Sequence, residues 1–361
     1  MQHFLKRLLT TLMLSAGLIA AFSISATAFA KEKKDFTLAW SIYVGWMPWD
    51  YADQSGILKK WANKYGINID VIQVNDYVES INQYTAGQFD ATVMTNMDAL
   101  TIPAASGVDS TALIVGDFSD GNDGIILKGN NKSIRDIKGQ NVNLVELSVS
   151  HYLMARGLES VGLAEKDVHV INTSDADIVA AYQTPDVTSV VTWNPLLSEI
   201  TSQPGSTLVF DSSKIPGEII DSLVVNTQIL KQNPNFAKAL TGAWYEVMSE
   251  MTSKNTAKSD EAKTFMAKAS GTDLAGYNAQ LKATRMFYKP AEAVRFTQSS
   301  ALTDTMKKVA EFSFEHGLLG EGAPDATFIG IETPAGIYGS KSNIKLRFDP
   351  AYMEMAAKGQ L

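Results

Sequence analysis

Strand-like apolar segments alternate with amphipathic segments from about residue 36 onward. Short runs rich in β-branched and aromatic residues predict strands, and apolar residues that recur every three to four positions predict helices. In a first series, the predicted strands are 36–40, 67–75, 89–95 and 110–118. The predicted helices between and after them are 51–65, 76–88 and 96–107. Asp76 and Glu79 have the spacing of a capping box, which predicts that the second of these helices begins there.

The alternation then restarts in a second series. Its predicted strands are 123–129, 141–147, 167–173 and 187–193. Its predicted helices are 148–162, 175–183 and 194–200. After residues 219–226 the chain is predicted to be mostly helical to about residue 317, and it ends in loops rich in glycine and proline and a short segment at 349–359.

Alternation of this kind is typical of parallel sheets wrapped by helices, and two series of it predict two lobes. The segment DFSDGNDG at 117–124 is rich in turn residues and suits a crossing between the lobes. We therefore predict a two-lobed α/β protein in which each lobe is a sheet wrapped by helices, with a ligand cleft between the lobes. The predicted limits are 31–118 with 225–361 for lobe 1, and 119–224 for lobe 2.

The first thirty residues are predicted to be a cleavable signal peptide (1–30) rather than part of the fold. They begin with Lys6 and Arg7, continue in a long apolar run and end in Ala28-Phe29-Ala30, a small-x-small cleavage site. The alternative is an uncleaved membrane anchor, since the apolar run is nearly long enough to span a bilayer. The chain has no cysteine, which excludes disulfides and an N-terminal lipidated cysteine and fits export to a bacterial periplasm.

The charge of the chain argues against nucleic acid as a partner. The formal net charge is −8, and removal of Lys6 and Arg7 with the signal peptide would change it to −10. Nucleic-acid binders need basic faces, and a chain this acidic offers none by composition.

An aromatic segment follows the first predicted strand. Residues 40–51 read WSIYVGWMPWDY, with Gly45 and Pro48 breaking any regular element. In open parallel sheets, ligands lie beyond the carboxyl ends of the strands, where this segment falls. We therefore predict that Tyr43, Trp46 and Trp49 are walls of a ligand cleft; the alternative for each is packing in the core. Aromatic faces suit a flat apolar ligand or a cation.

The other loops predicted to face the cleft are acidic. The segments predicted to face the cleft are the aromatic segment at 41–50 and the loops 75–77, 95–98, 146–151 and 193–195. They contain Asp50, Asp76, Asp98 and Glu146, and no Lys or Arg. The nearby segments 117–124 and 215–221 add Asp117, Asp120, Asp123, Glu218 and Asp221. Some of these carboxylates are helix caps or solvated turn residues: Asp76 opens a helix, Asp120 lies in a turn, and Glu146 has the alternative role of capping a helix N-terminus.

Three motifs in register resemble the solute-binding proteins of ABC transporters for nitrate, sulfonates and taurine. Ser148, His151 and Tyr152 stand in the Ser, His and Tyr positions of the family's Lys-Gly-Ser-x-x-His-Tyr motif. GQFDATVMTNMDAL at 87–100 resembles the family's Gly-x-x-Asp strand and the loop after it. VVTWNPLLSEI resembles its Trp-Asp/Glu-Pro segment, with Asn194 in place of the acid. The resemblance spans about 36–250 and is strongest to the subfamily labelled urea-carboxylase-associated.

The resemblance implies a type II periplasmic binding protein that delivers a small-molecule ligand to an ABC transporter permease. One departure from the family pattern bears on the ligand: Glu146 and Leu147 stand where the family often has Lys and Gly. A helix N-terminus and a lysine favour an anion, whereas a glutamate there opposes one. An acidic, aromatic cleft instead predicts a small planar cation such as guanidinium or an amidine. Urea-like amides rank second, and nitrate- or sulfonate-type anions third.

The residues predicted to bind the ligand come from both series of elements. They are Tyr43, Trp46, Trp49, Asp76, Asp98, Glu146, Ser148, Trp193, Asn194 and Glu218.

An enzyme on the same fold is the alternative of another class. Outside the first thirty residues the histidines are His151, His169 and His316, and they have no metal-binding spacing. His151 lies close to Ser148 and Ser150, but a polar packing role on an early helical turn is the preferred interpretation. No phosphate loop or nucleophile-elbow motif is present. We therefore predict a monomeric carrier with no cofactor, no metal and no catalytic residues.

Overall fold

The computed structural model describes residues 33–361, and the predicted signal peptide lies outside this range. The strands are β1 (Asp35–Trp40), β2 (Asn68–Gln73), β3 (Ala91–Thr95), β4 (Ser110–Ser119), β5 (Asp123–Lys128), β6 (Asn141–Leu144), β7 (His169–Asn172), β8 (Ser189–Trp193), β9 (Ser206–Asp211), β10 (Ile220–Asn226), β11 (Thr284–Met286), β12 (Gly330–Thr333), β13 (Gly336–Tyr338) and β14 (Ile344–Phe348).

Helices connect and flank these strands. They are α1 (Met47–Gln54), α2 (Ile57–Lys64), α3 (Tyr77–Thr85), α4 (Asn96–Ala99), α5 (Val149–Glu159), α6 (Ile178–Gln183), α7 (Leu196–Thr201), α8 (Thr227–Gln232), α9 (Pro234–Met251), α10 (Thr256–Ala269), α11 (Leu274–Lys282), α12 (Pro290–Thr297), α13 (Ser300–Glu315) and α14 (Ala351–Ala357). Among residues 33–361, no helix has the length and apolar character needed to cross a membrane.

The strands form two separate sheets within one compact unit, Asp35–Leu361. The larger sheet has nine strands in the order β13-β12-β14-β4-β10-β3-β1-β2, with β11 paired to β4. The smaller has five strands in the order β7-β6-β8-β5-β9. We call the units built on these sheets the large lobe and the small lobe. The predicted two-lobed α/β architecture is confirmed.

The prediction of parallel sheets was wrong in part, because both sheets are mixed. β10 runs antiparallel to β3 and β4, and β5 runs antiparallel to β8 and β9. These strands lie next to the points where the chain changes lobe. The chain leaves the large lobe after β4, enters the small lobe at β5, and returns from β9 to β10. In each sheet, the strand by which the chain arrives from the other lobe is thus the one that runs antiparallel to its neighbours.

Two local differences from the sequence-based elements have simple causes. The predicted helix 51–65 is two helices, α1 and α2, because Gly56 adopts a left-handed conformation (φ 78°) between them. The helix α1 also begins earlier, at Met47, with Pro48 in its first turn, where proline is well tolerated. The aromatic segment is therefore partly helical. The capping prediction is confirmed, since the Asp76 carboxylate accepts the Glu79 N–H at 2.9 Å.

Candidate ligand-binding cleft

A small cavity lies where the two lobes meet, and we call it the inter-lobe cavity. About 240 Å³ of space lies between its lining atoms, and part of that space is open to solvent. Its lining residues are Tyr43, Trp46, Tyr77, Thr95, Asp123, Val149, Trp193, Ile219 and Asp221. Asp123, Val149 and Trp193 belong to the small lobe. The other residues belong to the large lobe or to the crossing that leads back to it, so a ligand bound here would contact both lobes.

The aromatic walls of the inter-lobe cavity come from three segments. Tyr43 and Trp46 lie in the turn between β1 and α1, with ring centroids 4.8 Å apart. Tyr77 opens α3, and its ring lies 5.4 Å from that of Trp46. Trp193 ends β8 in the small lobe and meets Tyr77 edge to face at 5.6 Å. All four side chains are buried. Their faces and edges form a confined apolar wall suited to a flat ligand or a cation.

A second cavity adjoins the first within the large lobe, and we call it the tryptophan cavity. Its lining residues are Trp46, Trp49, Val93, Ile114, Gly116, Asp117, Asp221, Ser222, Leu223 and Trp244. It shares Trp46 and Asp221 with the inter-lobe cavity. Trp49 packs on Trp244 with ring centroids 5.1 Å apart, so Trp49 is a wall of the second cavity and not of the first.

Strand pairing brings two of the carboxylates together. Asp221 on β10 stands directly opposite Asp117 on β4, and both side chains are buried. Tyr43 donates a hydrogen bond from its hydroxyl to Asp117 Oδ1 at 3.0 Å. Gly45 allows this close approach, because a Cβ there would lie 2.5 Å from Asp117 Oδ2. The turn that carries Tyr43 and Gly45 therefore packs directly against Asp117, the strand partner of Asp221.

Two further buried carboxylates complete the acidic cluster. Asp123 opens β5 at the lobe crossing, and its Oδ2 accepts from the Ser119 hydroxyl at 2.5 Å. Asp98 on α4 accepts from Tyr77 at 2.7 Å and from Thr95 at 2.8 Å, both at Oδ2. Tyr77 therefore joins Asp98 to the aromatic wall, although Asp98 itself does not line either cavity.

Burial and mutual repulsion oppose ionisation of this cluster. Burial raises the pKa of Asp123 to about 7 and that of Asp98 to about 6, against the lowering effect of their hydroxyl donors. Burial, together with the negative charges of Asp117 and Asp123, raises the pKa of Asp221 well above its usual range. Burial likewise raises the pKa of Asp117. A positive charge placed among these groups would reverse the effect and favour the ionised forms.

The linings of both cavities lack positive side chains. Within residues 33–361, neither lining includes Lys, Arg or His. Several buried polar atoms of this region have no hydrogen-bond partner in the described part of the chain: Asp98 Oδ1, Asp117 Oδ2, Asp221 Oδ2, Ser222 Oγ, and Nε1 of Trp46, Trp193 and Trp244. Unpaired buried acceptors and donors are costly, and those concentrated here could be satisfied by a polar ligand or by buried water.

Ser148 and Asn194 are buried close to the inter-lobe cavity but do not line it. Ser148 caps α5, accepting the N–H of Ser150 and donating to the carbonyl of Val145 at 2.7 Å. Asn194 bridges the lobe crossing, where its Nδ2 donates to Asn122 Oδ1. Both residues position neighbours that do line the cavity, Val149 and Trp193 respectively.

Besides Asp98, Ser148 and Asn194, three further predicted ligand-binding residues line neither cavity. Asp76 is half-buried and caps α3. Glu146 is exposed; its backbone N–H donates to Asn172 Oδ1. Glu218 is buried, but its carboxylate is neutralised by Arg156 and Lys308 outside the cavity. The sequence could not distinguish these three carboxylates from those that line the cavities, because helix caps and ion pairs also use Asp and Glu.

Sequence reasoning missed Tyr77 and Trp244 as wall residues. Tyr77 falls in the segment 75–77 that was predicted to face the cleft, but it was not predicted to bind the ligand. Trp244 lies on α9, in a stretch that the pattern marks as helical and nothing more. The signal for Tyr77 was its position directly after a capping residue at the carboxyl end of β2, the edge where ligands bind. No comparable signal marks Trp244, which reaches the cleft only through packing of α9 on the sheet.

Solved structures with the same architecture define the fold class. The alkanesulfonate-binding protein SsuA from Xanthomonas axonopodis pv. citri, bound to MOPS, superposes with a TM-score of 0.65 at 16% identity, covering 81% of this chain and 96% of that one. The periplasmic nitrate-binding protein NrtA from Synechocystis has a TM-score of 0.56 at 14% identity, covering 90% of this chain and 99% of that one. The chain therefore has the fold of periplasmic binding proteins.

The family follows from the sequence itself. The chain belongs to the family described as NMT1/THI5 like, whose model matches residues 55–255. A protein of Brucella abortus (strain 2308) that carries the name of a binding protein is 23% identical over 259 residues, which are 71% of this chain and 78% of that protein. The subfamily associated with urea carboxylase stays a prediction.

Proposed function

We propose that this protein is the periplasmic solute-binding component of an ABC importer and that its ligand is a small planar nitrogenous cation, with guanidinium as the representative. The observation that carries the proposal is the inter-lobe cavity, which joins aromatic faces to buried carboxylates without any basic side chain in its lining. Guanidinium offers several N–H donors for carboxylates and a flat face for aromatic rings.

The charge of the cavity separates this proposal from the ligands named for its structural neighbours. Nitrate and alkanesulfonates are anions, and an anion needs positive or N–H partners to offset its burial. Here it would face Asp123 and Asp221. A cation in the same place would ionise those carboxyls and pair with them. We therefore propose a ligand opposite in charge to those of the neighbours, held in the same fold.

One observation favours urea as a second candidate. The indole N–H groups of Trp46 and Trp193 are buried and have no acceptor within residues 33–361, and both residues line the inter-lobe cavity. The carbonyl oxygen of urea could accept from either of them, whereas guanidinium has no acceptor. Urea would leave the carboxylates without a positive partner, which is why we rank it second.

In the proposed cycle the ligand stabilises the closed arrangement, because only there do both lobes contact it. We propose that the lobes move about the two crossings, at 120–122 and 212–219, in place of the limits 118/119 and 224/225 inferred from sequence. The closed monomer would then deliver its ligand to an ABC permease, without catalysis or a cofactor.

Export by the signal peptide remains part of this proposal, and mass spectrometry of periplasmic protein should find a chain that begins at Lys31.

A thermal-shift screen tests the ligand class. A ligand that binds only the folded state raises its stability by about 2.7 kcal/mol at a hundredfold excess over the dissociation constant. Guanidinium should raise the melting temperature at millimolar concentration or below, beyond the effect of matched potassium chloride. Nitrate and ethanesulfonate should not. Stabilisation by ethanesulfonate with none by guanidinium would replace the cation proposal with an anion carrier.

Trp193 provides a test of the small-lobe contact. We expect Trp193→Ala to weaken guanidinium binding by about five- to thirtyfold, because a ring face in a desolvated site contributes on the order of 1–2 kcal/mol. Phe314→Ala is the matched control, since Phe314 is an exposed aromatic residue on α13. Calorimetric titration of both variants is the measurement. Equal affinities in the two would mean that Trp193 does not contact the ligand.

A further inference from the structure

A second set of polar contacts joins the two lobes away from the inter-lobe cavity. It lies between α5 of the small lobe and α13 of the large lobe, and it contains two carboxylates, Glu218 and Glu165. Glu218, on the returning crossing, accepts from Tyr152 and Arg156 of α5 at 2.7 and 2.9 Å. It also accepts from Lys308 of α13 at 2.8 Å. One buried carboxylate thus holds side chains of both lobes.

Glu165 makes a similar bridge through two histidines. It follows α5 in the small lobe, and its Oε2 lies 2.9 Å from His151 Nε2 of α5. Its Oε1 lies 2.6 Å from Nε2 of His316, which ends α13 in the large lobe. His151 is buried, while His316 and Glu165 are partly exposed, with side-chain exposures of 18% and 31%. We call Glu165, His151 and His316 the histidine bridge.

The remaining hydrogen bonds fix which nitrogens of the bridge carry protons. The backbone N–H of Leu147 donates to His151 Nδ1 at 3.1 Å, so His151 Nδ1 is an acceptor and its Nε2–H donates to Glu165. His316 Nδ1 lies 2.7 Å from the carbonyl oxygen of Phe312, so it must donate there. His316 Nε2 faces the carboxylate, so it must donate as well. Both ring nitrogens of His316 thus face oxygen acceptors, a pattern that only the imidazolium satisfies in full, whereas the contacts of His151 are satisfied by the neutral ring.

The same pattern argues against a metal ion in the bridge. The three side chains place their ligand atoms within 4.8 Å of one another, as in a metal site. A histidine that binds a metal through Nε2 donates its Nδ1–H to an acceptor. His151 has a donor at that position, so its Nε2 carries the proton and has no lone pair to offer. Protons on the histidines therefore account for the contacts of the bridge, and a bound metal ion does not.

We propose that the histidine bridge is a proton-dependent latch that favours the closed arrangement of the lobes. When His316 is protonated, it pairs with ionised Glu165 across the lobe junction. Burial raises the pKa of Glu165, but its hydrogen bonds and attraction to both histidines bring it below the ordinary range. When His316 loses its proton, one of its nitrogens presents a lone pair to an oxygen acceptor, and the contact becomes repulsive. Deprotonation should therefore shift the equilibrium toward the open arrangement.

Charged groups of both signs line the groove around the latch. The groove between α5 and α13 is lined by Glu159, Glu165, Glu311 and Glu315 and by the cations Arg156 and Lys308. Arg156 pairs with Glu218 and Glu159, and Lys308 pairs with Glu218. Glu165 is the carboxylate in contact with His316, and the two cations of the groove are paired with other acids. This arrangement does not depend on which ligand the cleft takes.

The experiment measures lobe closure without ligand. The chain has no cysteine, so Lys59→Cys on α2 and Glu199→Cys on α7, both exposed, allow one spin label on each lobe. We expect the closed-to-open ratio from the inter-label distances to fall by about threefold to tenfold from pH 6 to pH 8, where histidine titrates. Cleft carboxylates also titrate in this range, so the readout is the difference between this protein and the same protein with His316→Gln.

The His316→Gln background should lose the part of the pH dependence that belongs to the latch. His169→Gln is the matched control, because His169 is an exposed histidine on β7, and it should keep the full dependence. The same pH profile with and without His316 would overturn the proposal. So would closure that requires added Zn²⁺ and disappears with a chelator. Because no ligand is present, neither result bears on whether guanidinium is the solute.

Discussion

Asp221→Asn should weaken guanidinium binding by about ten- to a hundredfold. Asp221 lines both cavities, and its buried carboxyl group lies within hydrogen-bonding reach of that of Asp117, its strand partner. A charge-assisted hydrogen bond contributes about 1.5–3 kcal/mol, and its loss corresponds to this range of affinity. Asparagine has the shape of aspartate but cannot ionise, so the loss of affinity reports the contribution of the carboxylate charge. Calorimetric titration gives the affinity.

The matched control for this variant is Glu146→Gln. It makes the same change of charge at an exposed residue that the sequence placed in the cleft and the structure places outside it. Its guanidinium affinity should stay within about twofold of the unsubstituted protein. The variant Asp221→Asn should also fold, because the raised pKa of Asp221 means that the empty protein already favours its neutral form. A well-folded Asp221→Asn that binds guanidinium unchanged would contradict the assigned role.

The second large effect is the dependence of guanidinium binding on pH. Guanidinium keeps its charge, and it stabilises ionised carboxylates, so its binding lowers their pKa and releases protons. The pKa of Asp98 is raised to about 6 and that of Asp123 to about 7. Affinity should therefore be weak below about pH 5 and rise through this window. The slope should approach tenfold per pH unit for each proton released, and the contribution of these two groups should level off above about pH 8.

Asp123→Asn provides the internal check on that profile. It removes one titrating group at the lobe crossing, so the rise between about pH 6 and pH 8 should become shallower and the limiting affinity lower. Titrations in buffers of different ionisation enthalpy count the protons released. Binding that strengthens as the pH falls would mean that the bound solute carries negative charge.

The chain pattern predicted the lobes because each strand is a compact apolar run with turn residues at both ends. It could not predict the antiparallel strands β5 and β10, since strand direction depends on how the chain returns to a sheet and not on the composition of the strand. It also missed β12 to β14, which are three to five residues long and are surrounded by polar loops. Strands that short have little periodicity to detect.

The aromatic part of the site was predictable, and the acidic part was predictable only as a region. Tyr43 and Trp46 follow β1 at the edge where ligands bind, and both line the inter-lobe cavity. Among the acids, the sequence favoured Glu146 over Asp221, because Glu146 replaces a residue of the family motif. Strand register decides the matter, since it aligns Asp221 with Asp117 and buries both. The pairing register of two strands that lie far apart in the sequence cannot be predicted from a local sequence pattern.

The most direct test of a cation-binding cleft is a calorimetric titration of the unsubstituted protein at about pH 8, above the value of about 7 to which burial raises the pKa of Asp123. Guanidinium, urea, nitrate and ethanesulfonate would be titrated separately at the same ionic strength. The account predicts saturable one-site binding of guanidinium, weaker binding of urea, and no binding of either anion. Tight binding of nitrate or ethanesulfonate, with no heat from guanidinium, would contradict it.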